Sequence, residues 1–205
     1  NVIVTDTFAA AGMVTPIDVG MWDFNYPPAL VWAEVMDNDT WCEVTWSLPE
    51  GPYEILMDDG SAEEFALWQA PGSQNAVKFT PLGYPAEVIG GRVYVGDGSF
   101  PGDFLGSEFA IMIYDDDGVD GMPGTVLDSG GVTVNNYGWV DFDWFSGTIA
   151  DGDFYISMVQ TQPTPAAPIG IDQDLPTYYN SYSKFQDNDW TLSAYQDFMI
   201  RAWVN

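Results

Sequence analysis

Four aspartates, Asp115, Asp116, Asp117 and Asp120, crowd the stretch just before the turn Gly121-Met122-Pro123-Gly124. Carboxylates this close together, on a backbone that glycine allows to bend, match the needs of calcium, which takes about six to eight oxygens in flexible geometry. The spacing is not that of an EF-hand loop. Counting from Asp115 puts Val119 fifth, counting from Asp116 puts Gly118 third, and neither register has an acid at its twelfth position. The segment therefore reads either as a calcium site or as a solvated acidic hairpin loop, with calcium the one cofactor expected. Asp58 and Asp59 form a smaller cluster of the same kind.

Two other carboxylate pairs meet the same-face condition of a two-acid hydrolase: Asp141 with Asp143 on one strand, and Asp151 with Asp153 around a turn. Any exposed acidic strand meets it as well. Nucleophilic catalysis has little to draw on, because the chain has no histidine and no G-x-S-x-G. Cys42, the single cysteine, stands in the alternating run Trp41-Cys42-Glu43-Val44-Thr45-Trp46 and reads as a buried free thiol. No enzymatic role is expected. Aromatics offer the main binding chemistry. Tyr178, Tyr179, Tyr182 and Trp190 lie in a stretch rich in Asn and Asp, and Trp68 and Trp139 are further candidates. Exposed rings can stack on pyranose faces while amides and carboxylates read hydroxyls. The same rings can equally fill a core, where aromatics dominate burial.

Charge bounds the partners. Among 205 residues, 31 are acidic and four basic, for a net charge of −27. With 46% hydrophobic residues, 9 Trp, 11 Tyr and 12 Phe, this is a folded acidic protein and not a disordered acidic tail. Lys78, Arg92, Lys184 and Arg201 are scattered singly, so nucleic acid is not an expected partner. An anionic membrane surface repels such a chain. No apolar run reaches the roughly 18 residues of a span, so membrane insertion is not expected. The cations in strand-like runs, Lys78, Arg92 and Arg201, are expected to form local ion pairs. Asn38-Asp39-Thr40 matches a glycosylation sequon. The chain opens on Asn1 without a leader-like segment and is expected to be a processed or excised product.

These side chains must be carried by strands. Gly and Pro, 21 and 14 residues, punctuate short apolar runs in the manner of an all-β domain. Val93 and Val95 share one face of their run, as do Phe109, Ile111 and Ile113; Val140, Phe142 and Trp144 turn inward past Asp141 and Asp143. Asp153–Met158 repeats the scheme, and 197–204 reads as a single closing strand. Residues 61–68 read either as a helical turn capped by Ser61 and Glu64 or as a strand.

Pro27-Pro28-Ala29-Leu30-Val31-Trp32-Ala33-Glu34-Val35, followed by Cys42-Glu43-Val44-Thr45-Trp46-Ser47-Leu48-Pro49, resembles the first two strands of a fibronectin type III domain. From residue 53 the order Met57-Asp58-Asp59-Gly60, Ala76-Val77-Lys78-Phe79-Thr80-Pro81, Asp115-Asp116-Asp117-Gly118 and Pro123-Gly124-Thr125-Val126-Leu127 is similar to β-sandwich modules of large secreted bacterial surface proteins. The resemblance implies an antiparallel, jelly-roll-like β-sandwich over 53–205, an N-terminal β extension over 1–52, and an extracellular, non-catalytic structural or adhesive role. On that reading the chain is a subunit of a surface layer or filament whose partners are copies of itself or other surface modules. Val2, Ile3, Val4 and Phe8 would then form a strand that either pairs within its own domain or adds to a neighbour's sheet. The alternative is a carbohydrate-binding module of a secreted multidomain protein, with polysaccharide as partner.

Overall fold

The structure, a computed structural model, describes residues 31–36, 41–46, 51–99, 103–143 and 147–205, the first two stretches by backbone alone. Val2, Ile3, Val4, Phe8 and Trp144, and the burial of Cys42, lie outside what is described. The chain divides into two compact units between Tyr53 and Glu54. In the first, β1 (Val31–Met36) and β2 (Trp41–Trp46) pair antiparallel, with Val31 opposite Trp46 and Met36 opposite Trp41.

The second unit begins within β3 (Tyr53–Ile55) and continues through β4 (Glu64–Ala66), β5 (Gln74–Phe79), β6 (Ala86–Tyr94), β7 (Glu108–Asp115) and β8 (Val126–Thr133). After these come β9 (Trp139–Phe142), β10 (Thr148–Ala150), β11 (Phe154–Gln160), β12 (Ile169–Asp172), β13 (Ser181–Lys184), β14 (Thr191–Leu192), β15 (Asp197–Phe198) and β16 (Ile200–Val204). Among the described residues there is no α-helix, and no helix long and apolar enough to cross a membrane. One sheet runs β14-β13-β5-β11-β7-β8; a second runs β10-β6-β16-β3 with β9 also on β6; a third, small one runs β15-β12-β4. The fold is an all-β sandwich.

Period-2 alternation builds the core. Val77, Phe79, Ile111, Ile113, Phe154 and Ile156 cover one face of the six-stranded sheet, and Val88, Val93, Ile200, Ala202 and Val204 cover one face of the second; all are buried. Each such Val, Ile or Phe side chain contributes roughly 1.5–3 kcal/mol on burial. In β6 the alternation slips at Gly90-Gly91, where a bulge between Trp203 and Val204 shifts the register. Glycine is required there by close approach: a Cβ on Gly91 would strike the carbonyl of Arg201 and the Phe142 ring, and one on Gly90 would strike the Phe142 carbonyl.

Two sequence expectations are resolved differently. Residues 197–204 form two strands, because Met199 donates its N–H to Gly170 O (3.0 Å) while accepting from Tyr94 N (3.0 Å). The chain thereby passes from β12's sheet to β6's sheet. Ser61 starts no helix; its N–H and Oγ both bond Asp59 Oδ1 (2.8 and 2.7 Å), and Glu64 opens β4.

Outside the second sheet, charge is tightly paired. Arg201 reaches the buried Asp58 through Nη2 (2.5 Å) and Nε (3.1 Å to Oδ2), and Glu54 through Nη1 (3.6 Å). Its guanidinium lies 4.4 Å from the Trp139 ring centroid. Arg92 pairs with Glu54 (3.3 Å) and Asp141 (3.2 Å), and Lys78 with Asp153 (2.9 Å). Burial raises the Asp58 carboxyl above its ordinary range even against Arg201. Removing the guanidinium therefore strands a buried carboxylate. We expect Arg201→Met to lower the unfolding free energy by about 3–5 kcal/mol, measured by urea denaturation, and Asp58→Asn in that background to restore part of it.

Candidate functional site

The six-stranded sheet has a second face, set by the register of its strands. Tyr155 sits opposite Tyr114 and Lys78, Ser157 opposite Met112 and Ala76, and Tyr182 opposite Ala76 and Leu192. Ala76, Tyr114 and Tyr155 form a buried cluster there, with Met112, Tyr182 and Trp190 packed against it. The face is aromatic but has a polar floor. Gln74 Oε1 accepts from Tyr114 OH (2.9 Å) and Ser157 Oγ (3.0 Å). Tyr155 OH donates to Gly121 O (2.5 Å), tying the acidic turn down over the sheet. Burial first, and Tyr182 next, push the Tyr155 hydroxyl above the ordinary phenol range; burial raises Tyr114 too. Both stay protonated and act as fixed donors.

Between the acidic turn and the β13–β14 connection lies a groove of about 530 Å³. Tyr114 and Trp190 form its aromatic wall, edge to face at 5.7 Å, and Lys184 lies 5.8 Å from the Trp190 centroid. Asp120, Asp187, Asn188 and Asp189 supply its polar rim, and Val119 and Met122 its apolar lip. Among the described residues, Lys184 alone of the four cations has no carboxylate within 4.0 Å. An aromatic wall with amide, carboxylate and ammonium groups around it can hold a ring face and bond its hydroxyls.

The sequence candidates separate. Tyr182 and Trp190 share this sheet face. Tyr178 donates its N–H to Asp197 Oδ2 (2.9 Å), and Tyr179 lies on a smaller cavity of about 100 Å³ with Leu192 and Tyr195. Trp68 donates to Asn75 Oδ1 (2.9 Å) and packs on Phe185; Trp139 lies under Arg201. Of the two-acid pairs, Asp141 and Asp153 are held by Arg92 and Lys78.

The calcium carboxylates Asp115, Asp116, Asp117 and Asp120 are not gathered. Both Asp117 oxygens bond Thr125, through its N–H and Oγ1 (2.6 Å each), which holds that carboxyl below its ordinary range. Asp115 Oδ1 accepts from Asp116 N (3.0 Å), and Asp120 has left-handed backbone at φ 58° and lines the groove. Among the described residues no group of three or more His, Cys, Asp or Glu is placed to hold a metal ion. Gln74, Tyr114 and Lys184 escaped the sequence reading; the polar run Ser73-Gln74-Asn75 ahead of an apolar strand was the available signal.

No family model matches the chain. Over 163 residues it is 35% identical to a segment of Bacillopeptidase F of Bacillus subtilis, a match covering 75% of this chain and 11% of that protein. Its fold is similar to part of the clostridial cysteine protease Cwp84 after propeptide cleavage, at TM-score 0.54 and 16% identity, covering 82% of this chain and 44% of that one. A structure of the cysteine protease and lectin-like domains of Cwp84, a surface layer associated protein of Clostridium difficile, superposes at TM-score 0.49. The expectation of no enzymatic role is thereby corrected: the sequence match lies in a peptidase. Histidine and motif counts missed this because they describe only the 205 residues, and the chain spans about a tenth of that relative's length.

Asp197 carries a pH dependence. It lies opposite Asp172 across β12–β15, and burial, then the charges of Asp172 and Asp58, raise its pKa to about 6 against the N–H of Tyr178. Between the ordinary value of 3.8 and about 6 the folded chain holds a proton that the unfolded chain has released. Stability therefore falls as pH rises through that window. We expect acidification from pH 7 to pH 5 to stabilise the fold, with Asp197 contributing roughly 1.4 kcal/mol, and Asp197→Asn to remove that share in paired urea titrations.

Proposed function

We propose that the chain is an extracellular β-sandwich module of a peptidase-type protein, and that it attaches that protein to saccharide polymer. The observation that carries this is the groove beside Trp190: an aromatic wall on a rigid sheet face, rimmed by carboxylate, amide and ammonium groups. Tyr114, set on β7 and fixed from behind by Gln74, gives Trp190 a rigid partner, and a wall so held loses little freedom on binding, which favours affinity. The peptidase relative supports the setting, and so does the acidic exterior, which keeps a protein soluble in ionic surroundings. A partner in the form of a polymer also suits an adhesive role, since one surface can bind many modules.

Co-sedimentation with insoluble polysaccharides, including cell-wall preparations, tests this. The wild type is expected in the pellet with at least one neutral polysaccharide. Trp190→Ala is expected to weaken that binding about tenfold or more, equivalent to about 1.4 kcal/mol, with its melting temperature checked separately. Lys184→Ala, which leaves the aromatic wall intact, should weaken it less. Failure to bind any polysaccharide, or equal binding by Trp190→Ala, would sink the reading.

A further inference from the structure

The smaller cavity lies beyond the groove and shares none of its lining residues. Three large apolar side chains surround it and stay largely in water: Tyr179 is 71% exposed, Tyr195 56% and Leu192 51%. Large rings left in solvent at one spot mark interaction sites more often than they serve folding. Tyr179 adds a second cost. Its backbone sits at φ 59°, the left-handed region that a bulky residue seldom adopts, and glycine would occupy it without strain. Burying the ring would offset that strain, yet the ring is exposed. The backbone there serves Asp197, toward which the N–H groups of Tyr178 and Tyr179 both turn, while the ring itself is left in solvent.

Polar groups complete the lining. Ser193 Oγ accepts from Tyr195 N (3.1 Å) and Ser181 Oγ accepts from Phe198 N (2.8 Å). Both oxygens are thus positioned by backbone while each hydroxyl keeps a proton to donate. Asp197 also lines the cavity, and its Oδ1 is buried without a hydrogen-bond partner among the described residues. An orphaned buried carboxylate oxygen lacks a donor.

We propose that this cavity is a second ligand site, which takes a single neutral pyranose ring. The ring face lies on Tyr179 and Tyr195, and its hydroxyls bond the Ser193 hydroxyl and the carboxylate side of the cavity. About 100 Å³ is well below the roughly 300–1,000 Å³ of drug-sized pockets, so the cavity seats only an edge of one ring, whose face rests on the exposed Tyr179 and Tyr195. Charge decides its kind. A protein of net charge −27 with a carboxylate in the lining disfavours uronic acids and phosphorylated sugars. Taken with the groove, the site makes the module bivalent toward a polysaccharide, but the assignment stands without the groove.

Amide chemical-shift titration of the isotope-labelled chain with millimolar glucose, galactose, mannose and N-acetylglucosamine tests the proposal. At least one sugar is expected to shift the amides of Tyr179, Ser193 and Tyr195, independently of any response at Trp190 in the groove. Tyr195→Ala is expected to abolish those shifts, and Trp190→Ala to leave them in place. Tyr179→Gly separates function from folding: it should lose the sugar response with no fall in melting temperature, whereas a ring needed only for structure would lower it. Glucuronate should give no response. Silence with every neutral sugar would overturn the assignment. So would shifts at these amides with an N-acetyl-lysine amide instead, which would make the cavity a peptide site.

Discussion

The scarcity of positive charge constrains this molecule more than any single contact. Thirty-one carboxylates share four cations, and a buried carboxylate without a partner is strongly destabilising. Arg201 therefore stands where the need is greatest, against the nearly inaccessible Asp58 and within reach of Glu54. Arg92 completes the group, and Trp203 donates its indole N–H to the same Glu54 (2.9 Å). Rings of Trp139 and Trp203 shield these charges from water, which strengthens each pair by lowering the local dielectric. Lys78 performs the same service for Asp153 on the other sheet. With three cations so committed, the placement of Lys184 beside Trp190, away from any carboxylate partner among the described residues, is informative. It is the one cation whose position the fold's charge balance does not explain.

The alternating runs were legible because burial on one face leaves period-2 patterns in sequence. Ile111 and Ile113, Val140 and Phe142, and Ile200 and Ala202 all turned inward as their spacing requires. Legibility failed where a hydrogen bond outranked the pattern. Nothing in Asp197-Phe198-Met199-Ile200 marks Met199 as the residue that hands its N–H to Gly170, yet that bond divides one apparent strand between two sheets. Ser61 and Glu64 had capping-box spacing, but a side chain two residues upstream captured Ser61 first. Such local competition is the ordinary reason that Ser and Asp favour turns over helices.

The acidic turn shows the limit of composition more sharply. Four aspartates in six positions supply the right chemistry for a cation, and hydrogen bonds within the turn already engage two of them. Thr125 bonds both oxygens of Asp117, and the Asp115 backbone carbonyl accepts from Gly124 N (2.9 Å), so one carboxylate and the backbone together brace a hairpin. Trp190 and Tyr182 stood out by type as candidates for binding. Their company did not: Tyr114 and Tyr155 lie 76 and 35 positions from Trp190 in the chain, and only the β7–β11–β5–β13 register sets these rings on one face.

The same register explains why the face can be polar beneath its rings without weakening the sheet. Ser157 and Gln74 occupy neighbouring strands on the aromatic side, and one amide oxygen satisfies two hydroxyls that would otherwise be buried unpaired. With Gln74 fixed in this way, the Tyr114 ring is fixed, and the Trp190 indole packs against an immobile edge. A wall built so has its conformational entropy removed before any ligand arrives. That matters in a strongly anionic protein, which gains nothing from long-range attraction to an uncharged polymer. The saccharide binding proposed above would have to come from short-range stacking and hydrogen bonds, which preorganised rings favour.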